Sequence, residues 1–303
     1  MKVVVLAGGT GGAALAAGIQ DIAPDDDLTV IANTADDDEF WGLLVCPDID
    51  AVIYRLAGVF NQKAGYGVEG DTFHVLESLA EAGEDTWFHI GDRDFAMHVL
   101  RTDMLRRGGT LTAITLALCR RFGIAGRVLP MTDDPVRTRF STDQGELSFQ
   151  QYYVRERLQP RLLGVEFAGA KAARPSPEVA STLGEADLVI IGPSNPLISI
   201  APILQLAADL IRPDRTIAVT PIVGGAALKG PTVEMMRALG HDPDPVEVAR
   251  MYRGVATGFV LDERDRNLAG AIEDLGYRTI IRDTIMRDGG RGLAESVLRL
   301  SRA

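Results

Sequence analysis

Short apolar runs alternate along the chain with longer stretches in which apolar residues return every three or four positions. Residues 3–7, VVVLA, are β-branched and apolar throughout, which predicts a strand buried on both faces. Residues 12–21 carry helical spacing, and residues 28–33, LTVIAN, read as a second buried strand. Strand, glycine turn, helix and strand make a βαβ unit, which implies a parallel sheet with a right-handed crossover. Runs at 86–90 (TWFHI), 187–191 (DLVII) and 215–220 (RTIAVT) predict further strands, closed by Gly91-Asp92, Gly192-Pro193 and Pro221. Two more candidates lie around Val255–Leu261 and Arg278–Ile281.

Helical periodicity covers 71–82, 94–106, 110–122, 200–211, 231–239 and 245–252, and the stretch 93–123 reads as a helix pair inserted beside the sheet. Residues 136–154 alternate around Asp143-Gln144-Gly145, the pattern of a β-hairpin. Neither an internal repeat nor a Gly/Ser-rich linker interrupts the sequence. The expected architecture is a single α/β domain over 1–303, Rossmann-like and doubly wound with a mainly parallel sheet, carrying the helical insertion and the hairpin.

Composition narrows the function classes. A chain of 303 residues with 46% hydrophobic and 24% charged residues has the core and the surface of a soluble globular enzyme. A net charge of -11 argues against nucleic acid and anionic membrane as partners. The apolar opening is too broken by glycine for a signal peptide, and no apolar stretch is long enough to span a bilayer. The expected location is the cytoplasm, with Cys46 and Cys119 as reduced thiols.

In a doubly wound sheet ligands bind at the carboxyl ends of the strands. There the bare backbone of Gly8-Gly9-Thr10-Gly11-Gly12 lets a phosphate approach N–H groups at a helix N-terminus. This is no P-loop, because no Gly-Lys-Ser/Thr follows. Gly9-x-Gly11-x-x-Ala14 meets only the loose dinucleotide pattern, and the second strand ends in Asn33-Thr34 where a nicotinamide site wants an acid. Next comes NTADDDEFWGLLVCPDID, with Asp36, Asp37, Asp38, Glu39, Asp48 and Asp50. Carboxylates beside a phosphate repel it, and a divalent cation resolves the conflict by taking oxygens from both sides; Mg²⁺ suits such hard ligands.

Other predicted strand ends carry similar chemistry. HIGDRD, residues 89–94, offers Arg93 either to a phosphate or to a neighbouring aspartate, and His89 either as a base or as a structural residue. GPSNP, residues 192–196, presents Ser194 and Asn195 in a loop stiffened by Pro193 and Pro196, and PIVGGAALKGP supplies Lys229 as a point charge for phosphate.

The segments GGTGGAAL, DDDEFWGLLVCPDIDAVIY, HIGDRDFAMHVLRTDMLRRG, VLPMTDDPVRT, FQQYYVRER and IGPSNPLISIAPIL follow one another in this order. Together they resemble the 2-phospho-L-lactate transferase family of coenzyme F420 biosynthesis, the CofD-like proteins, from the first strand to the last third of the chain. The resemblance implies a Mg²⁺-dependent transferase working as a homodimer. It would move a 2-phospho-(three-carbon acid) group from a guanosine diphosphate-activated donor to the terminal hydroxyl of the deazaflavin Fo, releasing GMP. In residue terms it implies metal ligation by Asp36, Asp37 and Asp50 with Asp48 close by, and catalytic roles for Asp36, Asp50 and Arg93. Expected substrate contacts are Gly9, Thr10, Gly11, Gly12, Asn33, Gly91, Asp92, Ser194, Asn195, Pro196 and Lys229, with Trp41 or Tyr54 against the deazaflavin. A related CofD-like branch that binds nucleotide sugars or dinucleotides as a regulator is the alternative. The intact acidic run and GDRD favour the transferase.

Overall fold

The computed structural model describes residues 1–228 and 230–301 and places seven short strands in one sheet. These are β1 (Lys2–Ala7), β2 (Asp27–Ala32), β3 (Arg127–Pro130), β4 (Leu188–Ile191), β5 (Thr216–Val219), β6 (Gly258–Asp262) and β7 (Arg278–Arg282). Their order is β3-β2-β1-β4-β5-β6-β7, and every neighbouring pair is parallel. Leu6 of β1 lies opposite Ile31 of β2 and Ile191 of β4. From β1 the chain winds outward through β2 and β3, then returns to the other side of β1 with β4. That reversal opens a crevice at the carboxyl ends of β1 and β4.

The continuous apolar runs are explained by burial on both faces. Successive side chains point to opposite sides of a strand. Val3, Val5, Val30, Val128 and Ile190 therefore enter one core, and Val4, Leu6, Ile31, Leu129 and Ile191 enter the other. The first core is covered by α1 (Gly9–Ile22), α2 (Pro47–Leu56), a later helix Leu111–Arg121 and the C-terminal helix Arg291–Ser301. Helices Pro177–Glu185, Ala201–Ala207 and Pro245–Met251 cover the second. No helix of the described residues is long and apolar enough to cross a membrane.

One expected strand is not formed. Residues 86–90 are irregular, and Trp87 and Phe88 lie half-buried against Phe40, with Phe40 and Phe88 stacked at 4.0 Å between ring centroids. Aromatic side chains satisfied by one another need no sheet neighbours on either side. The third position of the sheet is filled instead by β3, only four residues long and easily missed in the sequence. The expected helix pair is present as α4 (Asp92–Arg106) and α5 (Leu111–Arg121), preceded by the short α3 (His74–Glu81).

The expected hairpin pairs Arg137–Thr142 with Gly145–Ser148, and Leu162–Ala168 joins as a third antiparallel strand. Residues 151–155 wind into one π-helical turn rather than extending that hairpin. Inside the acidic run, Asp38–Phe40 and Leu43–Val45 form a second small hairpin around Trp41-Gly42, where both residues have positive φ (49° and 73°). That is the turn geometry that matches the natural twist of a hairpin.

Candidate active site

Helix α1 starts at Gly9, three residues earlier than its apolar spacing suggests, with Gly8 extended in front of it and offering no side chain as an N-cap. Gly9 has a φ of 68°, a region that a residue with a Cβ enters only at a cost. Gly11 has a different duty: a Cβ there would overlap the carbonyl oxygen of Pro193 in the loop after β4. The crevice is thus closed at its base by direct contact of helix and loop. The Gly8 N–H donates to Ser194 Oγ at 3.2 Å, so Ser194 is buried and binds the two loops together. Gly11→Val is therefore expected to lower the unfolding free energy by about 1–3 kcal/mol or more through overpacking. Denaturant unfolding of the metal-free protein checks this, with loss of nucleotide binding following as a consequence.

Asn33, immediately after β2, is fully buried and acts as a joint. Its side-chain amide faces Asp36 Oδ2 at 3.1 Å, Asp48 Oδ2 at 2.9 Å and the carbonyl oxygen of Ile198 at 3.3 Å, while its Oδ1 accepts from the Ala35 N–H at 2.9 Å. One amide thus ties together the acidic loop, the first turn of α2 and the π-helical turn Pro196–Ile200. Asp48 also accepts from the Gly9 backbone N–H, at the positive end of α1.

Asp36, Asp37 and Asp48 are all buried. Burial, with the charge of Asp48 next, holds Asp36 well above the usual carboxylate range against the hydrogen bonds of Thr138 and Asn33. Burial raises Asp37 from 3.8 to about 8 despite Arg137 and a hydrogen bond to Cys46, and raises Asp48 to about 6. Asp37 Oδ1 meets no hydrogen-bond donor among the described residues. Burial thus favours the protonated form of all three acids, an imbalance between their burial and the positive charge supplied around them.

The imbalance has a pH signature. A carboxyl whose folded-state pKa exceeds its unfolded value keeps a proton that the unfolded chain has already released. Its contribution to stability is complete below about pH 4 and is lost as the pH rises through about 6 for Asp48 and 8 for Asp37. The thermal midpoint of the metal-free protein is expected to fall between pH 5 and pH 9, and millimolar Mg²⁺ to flatten that fall. Calorimetry with and without chelator reads both.

Asp50 belongs to a different network. The guanidinium of Arg101, fully buried on α4, grips both its oxygens, with Nη1 3.2 Å from Oδ2 and Nη2 bonded to Oδ1. His98 lies beside them, its Nδ1 3.7 Å from Asp50 Oδ2 and its Nε2 3.2 Å from Asp94 Oδ1. Asp94 in turn accepts from the Tyr54 hydroxyl at 2.6 Å. Although burial pushes Asp94 upward, His98 and Tyr54 hold it below the usual carboxylate range. Asp50, Asp94 and His98 bring ligand-type atoms within 4.8 Å of one another, the one such trio among the described residues. Arg101 already places a cation there, so the trio's charge is met from within the protein.

The remaining expected residues divide by position. Gly91 caps α4, and its neighbours exchange caps with α3: Asp92 accepts from the Thr72 hydroxyl at 2.6 Å and the Val75 N–H at 3.0 Å, while Asp71 accepts from the Arg93 and Asp94 N–H groups at 2.9 and 3.1 Å. The Arg93 side chain is exposed, with no carboxylate in ion-pair reach among the described residues. His89 is exposed as well. Asn195 caps the π-helical turn through the Leu197 N–H at 2.9 Å, and Pro196 is buried as the first residue of that turn. Thr10 is half-buried at the open start of α1, and Gly12 packs on Ala7. Tyr54 is buried in the core, so of the two aromatics expected against the deazaflavin only Trp41, half-buried near Phe95, is accessible. Lys229 lies outside the described residues.

The structure therefore brings Gly8, Gly9, Asn33, Asp36, Asp48 and Ser194 to one crevice, while the Asp50 carboxylate is gripped by Arg101 yet stays close enough to Asp37 and Asp48 for its charge to raise both. Arg101, His98 and Thr138 were absent from the expectation. Asp94, His98 and Arg101 share one face of α4 by their spacing, a readable sign, whereas Thr138 has none.

Comparison with known proteins agrees with this architecture. A family model described as 2-phospho-L-lactate transferase CofD matches residues 3–275. A 2-phospho-L-lactate transferase of Methanosarcina acetivorans is 40% identical over 98% of both chains. A phosphoenolpyruvate transferase of Streptomyces avermitilis is also 40% identical, over 92% of this chain and 90% of its own. Among solved structures, a UPF0052 family protein from Bacillus halodurans superposes with a TM-score of 0.63 over 98% of both chains at 16% identity, a likeness of fold. With most of its length matched by the family model and by relatives named for this transfer, the chain is a transferase of the 2-phospho-L-lactate transferase CofD family.

Proposed function

We propose that the protein moves a 2-phospho-(three-carbon acid) group from a guanosine diphosphate-linked donor to the terminal hydroxyl of the deazaflavin Fo. The hydroxyl oxygen forms a bond to the phosphorus that bears the acid. The bond from that phosphorus to the bridging oxygen of the diphosphate breaks, GMP leaves with the electron pair, and the hydroxyl proton passes to solvent. The product is F420-0, or its dehydro form from an enolpyruvyl donor. Relatives named for lactate and for phosphoenolpyruvate stand at the same 40% identity, so both acids belong in the test.

The observation that carries this reading is the pair Asp36 and Asp48, both held by the Asn33 amide beside the start of α1. The helix terminus favours phosphate, and the two acids repel it unless a cation lies between them. Buried, under-neutralised oxygen ligands fit Mg²⁺, which takes one or two carboxylates and completes its shell with phosphates and water. Asp36 and Asp48 would hold it, with Asp37 adjacent; when bound it supplies neutralisation of the diphosphate charge. Asp50 supports this set from the same first turn of α2 as Asp48, by fixing α2 against α4 through Arg101. Gly9, Thr10 and Gly11 take the donor phosphates, Asn33 fixes the two acids, and exposed Arg93 approaches the donor from the start of α4. Catalysis of this kind is mainly positioning and electrostatics. We place the protein in the cytoplasm as a homodimer, a reading supported by its two buried free thiols for the compartment and by the family resemblance for the assembly.

GMP release tests the proposal. It is expected only when Mg²⁺, Fo and a lactyl or enolpyruvyl guanosine donor are all present. Tight guanine nucleotide binding without GMP release from either donor would favour a nucleotide-binding regulator instead.

A further inference from the structure

The antiparallel sheet of Arg137–Thr142, Gly145–Ser148 and Leu162–Ala168 takes no part in the transfer described above, yet it grips the acidic loop at three points, with Gln150 just beyond its second strand adding a fourth. The Thr138 N–H donates to the Ala35 carbonyl at 2.6 Å and the Thr138 hydroxyl to Asp36 Oδ1 at 2.7 Å. The Gln150 amide donates to the Asp36 carbonyl oxygen at 3.3 Å, and the Ser148 hydroxyl to Asp38 Oδ2 at 2.7 Å. Thr138, Gln150 and Ser148 are buried. Thr138 stands opposite Phe167 in the ladder, so strand register brings it to the acidic loop.

Thr138 and Asn33 each occupy one oxygen of Asp36. A carboxylate held at both oxygens has lost its rotational freedom during folding, while each oxygen keeps a lone pair for a cation. Partners of this kind orient a ligand before the metal arrives, and removing one typically weakens metal affinity about 10–100-fold.

We propose that Thr138 is a positioning residue for the cation, orienting Asp36 through its hydroxyl, and that the antiparallel sheet serves as the frame that fixes it. The inference rests on the reading of Asp36 as a cation ligand. It extends the working site to a strand 102 residues away in sequence.

The test is a titration of the metal-free full chain with Mn²⁺, following free Mn²⁺ by electron paramagnetic resonance. Thr138→Val keeps the shape of the side chain and loses the hydroxyl, and its Mn²⁺ affinity is expected to fall about tenfold or more. Thr138→Ser keeps the hydroxyl and is expected to bind within about twofold of the natural chain, a rescue that a merely structural role would not produce. Binding by Thr138→Val within about twofold of the natural chain overturns the proposal. So does a loss in Thr138→Ser of about tenfold, and that arm stands even where Thr138→Val does not fold. Absence of Mn²⁺ binding by the natural chain overturns the cation reading itself, and the positioning role with it.

Discussion

Asp36→Asn is expected to lower turnover at least about a hundredfold, the scale on which loss of one electrostatic contributor slows a charged transition state. Folding should survive the change. Asp36 is buried, its ionisation is opposed by burial and by Asp48, and both its oxygens already accept hydrogen bonds. A neutral amide removes the charge repulsion at this position, so the thermal midpoint without metal should hold or rise while activity is lost. Asp48→Asn should behave in the same direction, since burial opposes its charge as well. Steady-state rates at saturating Mg²⁺, read beside thermal unfolding in chelator, separate the two effects. A variant that keeps its rate would remove Asp36 from the cation site.

Arg101→Met should act on stability. It leaves Asp50 buried without its guanidinium, and breaking a buried pair in this way costs about 3–5 kcal/mol. Burial opposes the charge of Arg101, and Asp50 together with Cys46 and Asp37 more than restores it, so neither partner is comfortable alone. Asp50→Asn meets the same difficulty from the other side, and its first symptom is expected in unfolding rather than in turnover. The double variant Arg101→Met with Asp50→Leu removes both charges and should recover much of the loss, because an apolar pair of similar volume replaces a buried ion pair at little cost. Denaturant unfolding of Arg101→Met, Asp50→Leu and the double variant gives the coupling. Additive losses would mean that the pair is not a unit.

The sequence made the central sheet readable where the strands are aliphatic. The runs at β1, β2, β4, β5 and β6 are apolar on both faces, and their burial follows directly from that pattern. The aromatic run at 86–90 carries the same hydrophobicity without the same outcome, because its rings pack on Phe40 and leave the backbone outside any sheet. β3 carries no such signal, because four residues hold too little periodicity. The ingredients of the crevice are also visible in the sequence: glycines at a helix start and a run of acids that gathers beside it.

Which acids stand together was not visible. Asn33 meets Asp48 across 15 residues, Asp50 meets Arg101 across 51, and Asp36 meets Thr138 across 102. Such pairings depend on how strands and helices are stacked, not on local spacing. Asp48 and Asp50 illustrate the point. They sit two residues apart in the first turn of α2, and the helix turns one toward Asn33 and the other toward Arg101.

The most direct measurement is a crystal structure of the protein grown with Mn²⁺ and GDP, with the metal located by its anomalous scattering. The expected peak lies between Asp36 and Asp48, facing the start of α1 and the phosphates. A peak at Asp50, Asp94 and His98, with Arg101 displaced, would contradict the assignment of the cation site, and nucleotide bound with no metal peak would contradict the need for a cation at all.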